Sequence, residues 1–463
     1  MIFEPFSIKN VAFKNRILRS SIGGKTSYYD GTVNPAWKRF EKRFAEQGVA
    51  AIISATITVD DRRWAPLEYP KLSQDRFVKS IREAVQAVQA EGCKYILQLG
   101  DGGYHTQTSL FPQAEDAKSA SSVFDLVFGY RNRSTAMTTE EIQQTVQNFA
   151  AAARRVREAG CDGLEITASK GYIIHQFLNP ATNRRTDAYG GSVEKRFQFL
   201  REIVEAVRNS VGNDFLFGIR LSAVDFNYLP VNIRWPIVFP LRHYFIGNGL
   251  KETLYYGQEL AKLGVDYLHI SSGFGFINPK ESPGAWPVDE FRLYANATRH
   301  LSAKANFRAA LLNLLPRALI RGIFGLGWGF KPAANLNYAH AFRQAVGIPV
   351  IANGGFQHKH TIEDALSTGK CDLVSMARPL LANPNLLNLF KQGIDVPPRP
   401  CSHCNRCSVA TAVLPLGCYD PSRFPSQDAM EAQIMWWSGG PGDESDARSQ
   451  DETASAGRDM AFL

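Results

Sequence analysis

Gly163-Leu-Glu-Ile-Thr-Ala-Ser169 is a short run of apolar and β-branched residues, and Arg196–Val211 after it is amphipathic. Together they read as a strand and the helix that follows it. The same unit recurs on both sides. Towards the N-terminus, Ile17–Gly24 leads to Pro35–Gly48, Ala50–Val59 to Phe77–Gly92, and Tyr95–Gly100, after a long loop, to Thr138–Gly160. Towards the C-terminus, Phe215–Ser222 leads to Lys251–Gly264, Tyr267–Gly273 to Asn335–Gly347, Pro349–Gly355 to Thr361–Gly369, and Leu373–Leu381 to Leu386–Gly393. Glycine closes most of these helices, as C-terminal caps do. Eight strands, each followed by a helix, predict a parallel sheet covered on both faces and closed on itself. The fold class is therefore α/β, a (β/α)8 TIM barrel, and chemistry is expected in the βα loops at the C-terminal strand ends.

Two of those loops are long. Residues 225–249 carry Trp235, Phe239, Tyr244 and Phe245. Residues 274–334 contain the stretch Lys304–Lys331, whose cations are Lys304, Arg308, Arg317, Arg321 and Lys331 and which has no acidic residue. Apolar side chains interleave with these cations, and Pro316 divides them. That composition predicts either extra core, packed on the barrel or on a second subunit, or a lid over the active site or a peripheral membrane contact through 304–331. The barrel is expected over 1–398, a short cysteine-containing extension over 399–420, and a tail over 421–463 that is disordered after 439.

Composition narrows the rest. The chain has 52 Lys and Arg against 44 Asp and Glu, a formal charge of +8 without any basic block. Neither zinc-finger spacing nor an aromatic RNA-binding signature occurs, so no nucleic-acid partner is expected. The first 15 or so residues lack the apolar core of a signal peptide. No uncharged apolar run approaches ~18 residues, so no membrane span is expected. Of the seven cysteines, four crowd between Cys401 and Cys418, which favours metal chemistry in a reducing compartment over disulfides. The expected location is cytoplasmic, with peripheral membrane contact as the variant; oligomeric state is not legible.

The longest informative stretch begins at Cys161: Cys-Asp-Gly-Leu-Glu-Ile-Thr-Ala-Ser-Lys-Gly-Tyr-Ile-Ile-His-Gln-Phe-Leu-Asn-Pro, then Asn183-Arg-Arg-Thr-Asp-Ala-Tyr-Gly-Gly-Ser192. With Lys14-Asn-Arg-Ile17, Gln98-Leu99-Gly100, Gly218-Ile-Arg220, Ile351-Ala-Asn-Gly-Gly355 and Met376-Ala-Arg378 in order, it resembles the Old Yellow Enzyme family of NADH:flavin oxidoreductases. Within that family it is most similar to the branch of dienoyl-CoA reductases and trimethylamine dehydrogenase, without that branch's additional flavin and nucleotide domains. The resemblance implies FMN as cofactor and NAD(P)H as electron donor. It places the flavin phosphate at Gly354, Gly355, Ala377 and Arg378, where barrels commonly bind phosphate. It places the pyrimidine edge at Gln98 and Arg220, and the ring edge against Ser20, Ser21 and Ala55.

The substrate-gripping motif departs from the family. Its two donors, usually His-x-x-His or His-x-x-Asn, are here Thr167 and Lys170. Both side chains can still donate hydrogen bonds, and Lys170 brings a fixed charge to a carbonyl oxygen. The family's proton-donating tyrosine matches Tyr172. Two further departures are Gly100-Asp101-Gly102-Gly103 after Gln98, and Gly23, where some relatives carry a redox-modulating cysteine. The implied reaction reduces the C=C bond of an α,β-unsaturated carbonyl compound, a small enone-type substrate. Alternatives are a flavin-dependent amine or other dehydrogenase, and a non-catalytic flavin or thiol redox sensor.

Cys401, Cys404, Cys407 and Cys418 form C-x2-C-x2-C-x10-C. Tight thiolate spacing of this kind holds an iron–sulfur cluster or zinc, and free thiols remain the third alternative. In the resembling branch a similar run after the barrel ligates a 4Fe-4S cluster.

Overall fold

A computed structural model of the chain describes residues 1–24, 26–61, 69–105, 117–125, 133–227, 232, 245–275, 278–280 and 282–438. Eight parallel strands close into a barrel in chain order. They are β1 Ile17–Arg19, β2 Ala51–Thr58, β3 Lys94–Gly100, β4 Gly163–Ala168, β5 Leu216–Ser222, β6 Tyr267–Ser271, β7 Val350–Asn353 and β8 Leu373–Met376. The ring shuts where β8 pairs with β1, Val374 opposite Ile17 and Met376 opposite Arg19. Every residue of β2 is buried, as expected of a strand with helices on one side and barrel interior on the other.

The anticipated helices are present between the strands. The longest, Thr139–Glu158, starts on a capping box: Glu141 N–H donates to Thr138 Oγ1 at 3.2 Å, and Thr138 N–H to Glu141 Oε2 at 2.9 Å. These reciprocal bonds satisfy donors that a helix start otherwise leaves open. The ends of β1, β7 and β8 fall short of the sequence expectation. The β8–β1 ladder pairs as far as Met376 and Arg19 and ends on the bond from Ser20 N–H to Met376 O at 2.9 Å; Ser21–Gly24 and Ala377–Leu381 lie beyond it. They turn onto the barrel rim instead, Arg378–Ala382 as a short helix.

Two elements were not expected. A hairpin of Phe6–Ile8 and Val11–Phe13 plugs the N-terminal end of the barrel, packing Ile8, Val11 and Phe13 against Leu18, Ile53, Ile96 and Leu216. The segment taken as a tail begins with a helix, Gln427–Ser438. Its Trp437 is fully buried and stacks on Phe44 with ring centroids 4.4 Å apart. The expected disorder after 439 lies outside the described residues, as do Trp235, Phe239 and Tyr244 of the first insertion.

The described residues of the second insertion include the helices Val288–Thr298, Ala303–Leu314 and Arg317–Phe324, with Pro316 separating the last two. Trp286 ties the first to the last, stacked 3.8 Å from Phe291 and 5.7 Å from Phe324. Their outer face is open: Leu314 is 81% exposed, Leu326 70% and Phe307 67%. The cations are not all available to a partner. The Lys304 ammonium turns inward to the carbonyl of Asp125, and Arg317 pairs with Asp289 at 2.9 Å. No helix among the described residues is long and apolar enough to cross a membrane.

Candidate active site

A cleft opens at the C-terminal ends of the strands. Ser20 and Ser21 follow β1, Thr56 lies on β2, Lys170 and Tyr172 follow β4, and Arg220 lies on β5; Gly354 and Gly355 follow β7, and Ala377 and Arg378 follow β8. Residues far apart in the chain thus meet on one wall, because each leaves the same end of a parallel strand.

One end of the cleft is made of backbone. Gly354 and Gly355 have φ of +93° and +79°, a left-handed pair that side chains rarely adopt. A Cβ on Gly354 would come 2.7 Å from Asn335 Nδ2, and one on Gly355 would come 2.4 Å from the Lys331 carbonyl oxygen. The loop is fastened from behind, where Ala334 N–H donates to Gly354 O at 2.8 Å and Ala333 N–H to Gly355 O at 3.2 Å. A bare, fixed turn of this kind is a cradle for an anion. Arg378 sits opposite, its Nη1 donating to Pro283 O at 2.9 Å and to Asn405 Oδ1. The pocket walls therefore fit the phosphate end of a flavin nucleotide.

The floor is a buried polar network. Thr56 Oγ1 donates to Gln98 Oε1 at 2.6 Å, and Gln98 Nε2 donates to Glu165 Oε1 at 2.6 Å. His269 Nδ1 lies 3.0 Å from Glu165 Oε2, and its Nε2 lies 2.8 Å from Ser375 Oγ and 3.2 Å from Asn353 Nδ2. An amide nitrogen can only donate, so Nε2 accepts and Nδ1 carries the proton given to Glu165. Burial alone would lift the Glu165 carboxyl, but His269, Arg220 and Gln98 outweigh it and hold it below the ordinary glutamate range. Burial depresses His269 against the pull of Glu165, and Arg220 and Lys170 push the same way. The floor thus pairs the Glu165 carboxyl with an imidazole whose Nδ1 proton points at it.

The other end of the cleft is made of side chains on a constrained loop. Lys170 and Gly171 take φ of +56° and +75°. Gly171 N–H donates to His175 Nδ1 at 3.0 Å, so the other ring nitrogen, Nε2, donates to Asp225 Oδ1 at 2.8 Å. Asp225 Oδ2 accepts from Asn179 Nδ2 at 2.8 Å and from Asn248 N–H at 2.7 Å. Gln176 Nε2 completes the clamp on Gly171 O at 2.7 Å. This buried hub holds Lys170 and Tyr172 at the wall. Asp225, its centre, had no assigned role in the sequence reading, and His175, Gln176 and Asn179 stood in the quoted motif unassigned. The only available signal was a polar pair, His175 and Gln176, in an otherwise apolar helix that ends at Asn179.

Three expected residues sit elsewhere. Thr167 is buried behind the wall, its hydroxyl 3.2 Å from Ser169 Oγ and its methyl pointing at Gly100, where a Cβ would lie 2.8 Å away. Gln98 lies in the floor, engaged at both ends of its amide, and Ala55 is wholly buried on β2. A residue the sequence did not suggest enters instead. Tyr69 lines the cleft, and a Cβ on Gly23 would lie 2.1 Å from its hydroxyl. The space a cysteine would fill there belongs to this phenol, which burial and the neighbouring Tyr172 push upward in pKa.

Cys401, Cys404, Cys407 and Cys418 line a second, smaller cavity with Asn405 and Arg423. Arg423 Nη1 donates to Cys418 Sγ at 3.1 Å. Burial raises the Cys401 thiol to about 11; Arg378 opposes the rise, and Cys418 and Cys404 add to it. Arg378 and Cys407 belong to both cavities, so the four sulfurs lie directly behind the cleft.

Comparison with known proteins agrees with this geometry. The family model described as NADH:flavin oxidoreductase / NADH oxidase matches residues 1–228 and 329–396. A "Metal reductase" of Desulforamulus reducens is 30% identical over 407 residues, 88% of this chain and 51% of that protein. An "NADPH dehydrogenase" of Halalkalibacterium halodurans is 31% identical over 316 residues, 68% of this chain and 83% of that protein. The chain thus spans about half the length of the first relative and most of the second. A solved 2-naphthoyl-CoA reductase shares the fold at a TM-score of 0.70 and 21% identity, covering 90% of this chain and 56% of that one.

Proposed function

The chain belongs to the NADH:flavin oxidoreductase / NADH oxidase family, a family of flavin-dependent enzymes, and from that premise we propose that it binds FMN, takes electrons from NAD(P)H and reduces the C=C bond of an α,β-unsaturated carbonyl compound. The observation that carries this reading is the meeting of Lys170, Tyr172, Arg220, Gly354, Gly355 and Arg378 on one cleft.

Gly354 and Gly355, with Ala377 and Arg378, would hold the FMN phosphate, and Arg220 would face the pyrimidine edge. FMN, when bound, supplies hydride transfer between the nicotinamide and the alkene. The chain's own residues do the rest. Lys170 places a fixed positive charge where the substrate carbonyl oxygen gains negative charge. Tyr172 delivers a proton to the carbon α to that carbonyl. Thr167 takes no direct part, because it stands behind the wall. One pocket receiving nicotinamide and enone in turn gives ping-pong kinetics. The test is an anaerobic NAD(P)H-oxidation screen with enones; nicotinamide oxidation that no enone accelerates refutes the alkene assignment.

Cys401, Cys404, Cys407 and Cys418 would hold an iron–sulfur cluster. The C-x2-C-x2-C-x10-C spacing and the one cavity that all four cysteines line support this reading. Arg378 and Cys407, shared by the two cavities, would bring it against the flavin site.

The outer face of the second insertion would meet an anionic lipid surface. Its exposed leucines and Phe307, with Arg321, form the apolar and basic pattern of an interfacial helix. The protein should float with anionic vesicles at low salt and lose that binding when Leu314, Leu326 and Phe307 are changed to Ser. Absence of flotation makes the face a protein contact.

A further inference from the structure

Outside the cleft and the cysteine cavity, His358, His360 and Asp395 bring three ligand atoms within 4.8 Å of one another. His358 stands at the start of the helix Lys359–Ser367, three residues beyond Gly355 of the cleft rim. Asp395 comes from a separate segment, the one that runs on to Cys401. Backbone bonds fix the two segments together: Lys359 N–H donates to Asp395 O at 3.0 Å, and His360 N–H to Asp395 Oδ1 at 2.7 Å. The second carboxylate oxygen, Oδ2, lies 2.8 Å from His360 Nδ1. The two imidazoles meet edge to face with centroids 5.5 Å apart. We propose that His358, His360 and Asp395 bind a divalent transition-metal ion of the zinc class, clamping the β7 rim loop to the segment that leads to the cysteines.

The ligand types decide the class of ion. Two imidazoles and one carboxylate suit Zn2+ and its neighbours in the first transition row, whereas Mg2+ and Ca2+ prefer oxygen alone. Three protein ligands leave a fourth position for water. The ion would replace the proton now shared between His360 Nδ1 and Asp395 Oδ2, and those atoms need to part by only a few tenths of an ångström. His360 can then carry its proton on Nε2, which already lies 3.2 Å from Thr361 Oγ1. The carboxylate keeps its bond from His360 N–H, which holds it in place while its other oxygen turns to the ion. Solvent reaches the site directly, since His360 is 62% exposed. Nothing in this assignment depends on the flavin reaction proposed above.

The experiment is calorimetric titration of the full chain, purified anaerobically without a histidine tag, with Zn2+ and separately with Ni2+. His358→Ala, His360→Ala and Asp395→Asn are compared with Cys401→Ser, and circular dichroism reports that each variant is folded. One ion per chain should bind at this site and raise the melting temperature. Each of the first three substitutions should weaken it by at least about tenfold, and Cys401→Ser should leave it unchanged. If wild type and His360→Ala titrate alike, or if binding disappears only in Cys401→Ser, the site does not exist.

Discussion

At one end of the cleft, where β7 and β8 finish, the wall is backbone; at the other, beyond β4, it is side chains held from a distance. Gly354 and Gly355 present a turn that tolerates no Cβ and needs little chemistry from its neighbours. Lys170 and Tyr172 have positions that depend on Gly171, His175 and ultimately Asp225, which itself does not line the cleft. The contrast teaches that the two ends of the cleft are built by separate devices, so that on the proposed function cofactor retention and substrate chemistry should each be breakable without the other.

The largest effect should come from the hub. Asp225→Ala strips the partner from His175, Asn179 and Asn248, all buried. Leaving these groups unsatisfied should cost roughly 3 kcal/mol or more of stability, read by denaturant unfolding. A smaller loss would show that Asp225 does not carry the β4 loop.

Next in size is the substrate end itself. Tyr172→Phe should slow flavin reoxidation by an enone by ~10²-fold or more, the usual worth of a positioned proton donor. Stopped-flow reduction by NAD(P)H should stay near normal in that variant and in Lys170→Ala. Equal slowing of both half-reactions would mean that these residues organise the flavin.

The smallest effect belongs to the backbone end. Arg378→Ala should weaken FMN by ~1.5–3 kcal/mol, the scale of a charged hydrogen bond, measured by flavin loss on dialysis. It should also loosen Pro283 and Asn405, which share its guanidinium. Unchanged retention would assign the phosphate to the glycine turn alone.

What the sequence made legible follows the same division. Strand order, the rim loops and the bare Gly354–Gly355 turn could be read because glycine pairs and alternating strands and helices are local patterns. Tyr69 could not be read, since only folding carries it from its own loop into the space beside Gly23. Asp225 stood at the edge of an insertion, and its role depends on partners from Gly171 to Asn248 that the barrel alone brings together. Glu165 and His269 stand on two different buried strands, and their pairing is a product of barrel curvature. Thr167 keeps the position that the motif fixed in the chain, but its burial, with its hydroxyl 3.2 Å from Ser169 Oγ, is set by packing that the sequence does not display.

The central claim is that this cleft holds a flavin that NAD(P)H reduces. Mixing the FMN-loaded chain with NADH or NADPH under anaerobic conditions, while following the yellow absorbance of the flavin, tests it directly. The absorbance should bleach on mixing and return when an enone is added. A chain that takes up no FMN, or whose bound flavin stays yellow with both nicotinamides, would contradict the account.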